Sequence, residues 1–220
     1  MHLVAELRYY KNKIAEVEAK IEELVRRYAA QVDTEGAELI RSKKQRQIHN
    51  ELSLDIEQYA YKLWGVNAMM IPAMSKNTLL RLVAELGDDF TEKFVDARHF
   101  ASWANLVPNN KISGGQLLSS KVPKRKNPVG LVFRQCANAL NRAKNPLGDY
   151  FRHIKARSGY LQAMVATGKK LVIIFYTMVK YKREYDESVY SSHRKKQLNQ
   201  RIERLKTTIL RLQNENANCG

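Results

Sequence analysis

"GLVFRQCANALNRAKNPLGDYFRHIKARSGYLQAMVATGKKLVIIFYTMVK", residues 130–180, holds three blocks whose apolar residues recur at spacings of three and four. That is the period of an α-helix with one buried face. The blocks run over 130–144, 147–159 and 160–180. Arg134, Arg142, Arg152, Lys155, Arg157, Lys169 and Lys170 ride along them, so one face can pack while another meets an anion. Strand signals are scarce elsewhere, and the fold class read from the sequence is mainly α.

Moving outward, "NNKISGGQLLSSKVPKRKNP", residues 109–128, sets a serine against two glycines and then a cationic run. Ser113 sits where Gly114 and Gly115 allow the backbone to approach a ligand with no Cβ in the way. Lys111, Lys121, Lys124, Arg125 and Lys126 are close in sequence. A serine hydroxyl attacks a phosphate only if its proton is removed and the growing charge is stabilised. Lysine and arginine supply the second need, and no general base is visible nearby. Pattern alone leaves two readings open here, a polar turn on a basic surface or a nucleophile.

Charge is segregated along the chain. Of the net +16 over 220 residues, segment 111–183 carries 16 basic groups and a single acid, Asp149. Such segregation favours a polyanion as partner, because neutralising phosphates releases condensed counterions. An acidic membrane surface is the rival. No window offers 18 uncharged apolar residues and the N-terminus lacks a signal layout, so the expectation is a cytoplasmic protein with no membrane segment. Cys136 and Cys219 form neither a disulfide framework nor a metal pattern.

At the N-terminus, Leu3, Leu7, Tyr10, Ile14, Val17, Ile21, Leu24 and Tyr28 step by four and three, the seam of a coiled coil. The seam can serve self-association, an antiparallel pairing with another segment, or packing on its own domain. Residues 31–55 lose the pattern. The expected organisation is a coiled-coil helix over 1–30, a linker and connecting helix over 31–65, a compact helical domain over 66–185, and a heptad helix over 186–220. In that last helix Leu198, Ile202, Leu205, Ile209 and Leu212 repeat the seam. Two helices around Pro72 suggest a helix-hairpin-helix-like element, with Ala73 and Ser75 where such turns usually carry glycine.

Common catalytic sites are absent from the pattern. There is no glycine-rich phosphate loop, and His2, His49, His99, His153 and His193 are scattered singly. The acidic group Glu85, Asp88, Asp89, Glu92 and Asp96 has the spacing of a solvated helix cap rather than of a two-metal site.

The run "LGDDFTEKFVDARHFASWANLVPNNKISGGQLLSSKVPKRKN", followed by "RQCANAL", "LGDYFRHIKARSG", "KKLVIIFY" and "YKREY", resembles the C-terminal domain of the DEDD-type insertion-sequence transposases, the bridge recombinases. The resemblance covers roughly residues 66–185, and the first helix resembles the coiled coil that precedes this domain in the family. It implies a DNA recombinase with a serine that becomes joined to a DNA end, and Ser113 falls on that serine. Asn127, Arg134, Arg152, Lys170 and Tyr185 fall on recurring polar positions, as phosphate contacts or packing; Arg157 lies within the same basic blocks.

The resemblance also implies a structured guide RNA as a partner and homo-oligomers through the coiled coils. The family's RuvC-like domain, whose four acids hold Mg²⁺, is expected to be missing here, so that no cofactor binds this chain and Ser113 is idle by itself. The alternative is a coiled-coil protein that binds nucleic acid without chemistry.

Overall fold

The computed structural model describes residues 2–30, 39, 54–123 and 127–218. The chain runs α1 (His2–Ala30), α2 (Ile56–Trp64), a 3₁₀ turn (Ala68–Met70), α3 (Lys76–Leu86), α4 (Phe90–Lys93), α5 (Ala97–Trp103), β1 (Asn109–Ser113) and β2 (Gln116–Lys121). It continues with α6 (Pro128–Ala139), a 3₁₀ turn (Leu140–Arg142), α7 (Pro146–Ser158), α8 (Tyr160–Tyr181) and α9 (Glu187–Asn218). The fold is mainly α, as the periodicity predicts, and among the described residues the only sheet is the β1–β2 hairpin.

Helix α8 is the axis of the body. Its buried residues Ala163, Thr167, Leu171, Ile174 and Met178 form one stripe, with Gly168, Val172, Phe175 and Val179 beside it. Two adjoining stripes give a helix apolar around much of its girth, which suits a central position, and α4, α5, α6 and α7 all pack on it. Phe90 stacks on Phe175 at 5.4 Å, and Trp64 meets Phe175 edge-on at 5.0 Å. The Trp64 indole donates to the Gly87 carbonyl at 2.8 Å. Each large ring buried in this way contributes about 2–3 kcal/mol of transfer free energy. Helix α2, expected as a connector, thus supplies Ile56, Ala60, Leu63 and Trp64 to the same core as the later helices.

Two helix starts share one local design. Asn127-Pro128-Val129-Gly130 opens α6 and Asn145-Pro146-Leu147-Gly148 opens α7. Each asparagine caps its helix by accepting from the glycine amide, at 2.9 and 2.8 Å, while proline fixes the first helical φ. Val129 and Leu147 are buried. A Cβ on Gly130 would lie 1.9 Å from the Ala104 carbonyl oxygen, and one on Gly148 would lie 2.3 Å from that of Ala143. Glycine is therefore required for the preceding strand of backbone to cross this closely.

The helix pair around Pro72 forms, with α2 against α3. Ala73 takes φ +70° in its turn, a conformation that costs an alanine about 1 kcal/mol relative to glycine. Ser75 caps α3 by accepting from the Thr78 amide at 3.2 Å.

Among the described residues, helix α1 reaches the body through its C-terminal part. Val25 is buried, Ile21 packs beside it, and the Tyr28 hydroxyl donates to Asp88 at 3.0 Å. Leu3, Leu7, Tyr10, Ile14, Val17 and Leu24 are exposed. Leu198, Ile202, Leu205, Ile209 and Leu212 of α9 are exposed as well. Among the described residues no helix is long and apolar enough to cross a membrane.

Candidate nucleic-acid interface and the Ser113 hairpin

Strands β1 and β2 pair antiparallel, with Asn109 opposite Lys121, Lys111 opposite Ser119, Ile112 opposite Leu117 and Ser113 opposite Gln116. Gly114 and Gly115 make the two-residue turn, at φ +54° and +78°. Positive φ at both positions is the type I′ requirement, and its twist matches that of the strands. The register shifts between Lys111 and Ile112, so Leu117 and Leu118 together oppose Ile112. Because of this bulge, Gln116 rather than Leu117 lies across from Ser113.

Strand alternation then sorts the hairpin into two faces. Asn109, Lys111, Ser113, Gln116, Ser119 and Lys121 share one. Asn110, Ile112, Leu118 and Ser120 share the other, and the Ser120 hydroxyl donates to Asn110 Oδ1 at 2.8 Å there. Ser113 and the whole of β1 are exposed. Nothing lies within 4 Å of where a Cβ on Gly114 or Gly115 would stand, so the tip is open on all sides. Lys111 stands about 7 Å from Ser113 along the strand.

The base of this hairpin is anchored by residues that the sequence offered as candidate nucleic-acid contacts. Asn127 donates through Nδ2 to the Trp103 carbonyl at 3.0 Å while capping α6. Arg134 Nη2 donates to the Asn105 carbonyl at 2.6 Å, where Asn105 takes φ +54°. With the Gly130–Ala104 approach, these contacts tie residues 103–105 to the first turns of α6. They fix both ends of the segment that carries Ser113.

Arg152 is similarly occupied. Its Nη1 donates to the Asn141 and Ala143 carbonyls at 3.2 and 2.7 Å, and its Nη2 to Asp149 at 2.5 Å. Lys170 lies 4.3 Å from the centre of the Tyr150 ring. Burial pushes the Lys170 ammonium below its ordinary pKa and the Tyr150 phenol above its own. Arg157 is exposed at the end of α7. Lys124, Arg125 and Lys126 lie outside the described residues, and Tyr185 packs against the core.

Within the acidic group, Asp96 alone caps a helix with its side chain, at the start of α5. Asp96 accepts from the His99 amide at 2.8 Å, meets the His99 ring nitrogen at 2.9 Å and accepts from the Arg98 amide at 2.7 Å, which together hold its pKa below the usual carboxylate value. Asp89 pairs with Lys93 at 2.6 Å. Among the described residues no three His, Cys, Asp or Glu side chains converge as a metal site.

Sequence reading missed the hairpin and its exposed apolar pair, Ile112 and Leu118. The signal was present, since two glycines flanked by "NNKI" and "QLLSSK" mark a two-residue hairpin loop.

A mainly α body projects an open hairpin on which Ser113 is exposed beside Lys111 and Lys121. Residues 67–152, which hold that hairpin and its anchors, match the family described as Transposase IS116/IS110/IS902 family. DNA is the partner that this family implies. No curated protein matches the chain.

Proposed function

We propose that this domain binds DNA across its basic segment and presents Ser113 as the nucleophile that cuts and rejoins strands in transposition. One observation carries the reading. Within the family-matched segment, the only Ser-Gly-Gly element is an exposed hairpin tip whose serine shares a face with Lys111 and Lys121. In the step itself, Ser113 Oγ attacks the phosphorus of a phosphodiester as its proton passes to a base. The bond from phosphorus to one sugar oxygen breaks, and that oxygen leaves as a hydroxyl once protonated. The product is a serine–DNA phosphodiester, which conserves the bond energy for resealing. Lys111 and Lys121 supply positive charge where the phosphorane develops negative charge.

Sixteen basic groups against one acid over 111–183 support a guide RNA as a second ligand beside DNA. The exposed seams of α1 and α9 support pairing between copies of the chain.

The test mixes the chain with a separately produced RuvC-like transposase domain, Mg²⁺ and nicked or branched DNA. A denaturant-stable protein–DNA adduct that disappears in Ser113→Ala is expected. DNA binding with no adduct from the wild type would favour a binding protein without chemistry.

A further inference from the structure

The hairpin's second face has no role in the nucleophilic step. Ile112 and Leu118 are 65% and 68% exposed and lie together on it, because the bulge sets Leu118 beside the Ile112 position. Large aliphatic side chains held out on a narrow ribbon lose solvent only when something covers them. A two-stranded ribbon is also marginal by itself in water, so a ligand on this face would stabilise it.

Charge selects the ligand. Between Asp96 and Asp149 the chain has no acidic residue and nine basic ones, two of them on the hairpin. A partner protein covering this face would have to tolerate that field. A nucleic-acid strand matches both faces, since each nucleotide offers an apolar base surface on one side and an anionic phosphate on the other.

We propose that the hairpin is a strand-separating wedge. Ile112 and Leu118 enter a DNA base step beside the scissile phosphate and cover the base surface exposed there, while Lys111, Ser113 and Lys121 follow the backbone of the same strand. Apolar side chains inserted between base steps unstack DNA in this way elsewhere, at a cost of a few kcal/mol per step that the new contacts offset. The bulge matters because it confines leucine to the wedge face and leaves Gln116 beside Ser113. Opening the step gives the serine access to a phosphodiester that stacked duplex holds out of line. This inference rests on the DNA-cutting reading for its purpose, but its physical content is separate.

The experiment uses the full chain and nicked duplex DNA with 2-aminopurine at the nick, whose fluorescence rises on unstacking. The wild type is expected to give a several-fold rise on binding. Ile112→Ser/Leu118→Ser, compared at protein concentrations that saturate the DNA, is expected to lose the rise, with circular dichroism and thermal unfolding confirming an intact body. Ser113→Ala is expected to keep it. Binding without a rise in the wild type, or a rise that persists in the double variant, overturns the wedge. So does a double variant that changes only the sedimentation behaviour, which would make this face a contact between copies, or a rise seen with nicked RNA duplex and not with DNA. An unstacking signal with no Ser113-dependent adduct sinks the nucleophile alone.

Discussion

Ser113 and Gln116 face each other across the Gly114–Gly115 turn, and this pairing leaves Ser113 on the Lys111 side of the hairpin. Both glycines hold positive φ with open space around them, so replacing either by alanine meets no clash and tests conformation alone. Each is expected to cost the hairpin about 1 kcal/mol, from the strain of an L-residue in the left-handed region. Asparagine at 114 should be better tolerated, as it adopts that region more readily. NMR of the Ser113–Gln116 cross-strand contact checks both outcomes.

Gly130 is under a different constraint. With the Ala104 oxygen 1.9 Å from a new Cβ, Gly130→Ala must push α6 away from the base of the hairpin. A loss of about 3 kcal/mol is expected, at the upper end for single substitutions. Chemical unfolding should show it as a lower midpoint, whereas Gly114→Ala leaves the midpoint of the body unchanged.

Arg152 and Lys111 separate packing from binding. Arg152→Met leaves the Asn141 and Ala143 carbonyls without their donor and should lower stability by about 2 kcal/mol, the scale of hydrogen bonds from a charged group. Its effect on the salt dependence of DNA binding should be slight. Lys111→Ala should do the reverse, keeping stability and reducing the log–log salt slope by about 0.9 if one phosphate contact is lost. Titrations at several salt concentrations, run beside thermal melts, distinguish the two.

Asp96 gives a pH signature. The His99 amide and ring and the Arg98 amide at the start of α5 depress its folded pKa, so its stabilising contribution is complete above the unfolded pKa and fades as pH falls through the folded one. The stability gap between wild type and Asp96→Asn should therefore be constant near neutrality and narrow below about pH 4, the ordinary aspartate range. Urea midpoints measured from neutral to acid pH follow that gap. A gap that widens on acidification would place the pH dependence in other groups.

The main helices were legible because burial imposes a period of three to four, as in Leu79, Leu82, Val83 and Leu86 of α3. The seams of α1 and α9 were equally clear as helices, though a period does not name what covers it. Charge was read less well than shape. A sequence shows that Arg134 and Arg152 are basic but not that their guanidinium groups end on carbonyl oxygens, because those acceptors come from main chain far along or around a turn. The repeated Asn-Pro-x-Gly starts of α6 and α7 were visible but their glycines gain meaning only once Ala104 and Ala143 cross them. The hairpin's two-glycine turn was visible, but the bulge breaks strict alternation in "QLLSSK" and so masks the second strand, and Lys124, Arg125 and Lys126 lie outside the described residues.

The most direct measurement is mass spectrometry of the nuclease-trimmed adduct formed with the RuvC-like domain, Mg²⁺ and branched DNA. A nucleotide attached to the tryptic peptide that contains Ser113, and absent in Ser113→Ala, is the expected result. A nucleotide on any other residue, or an adduct that persists in Ser113→Ala, would contradict the assignment of the hairpin hydroxyl as the nucleophile.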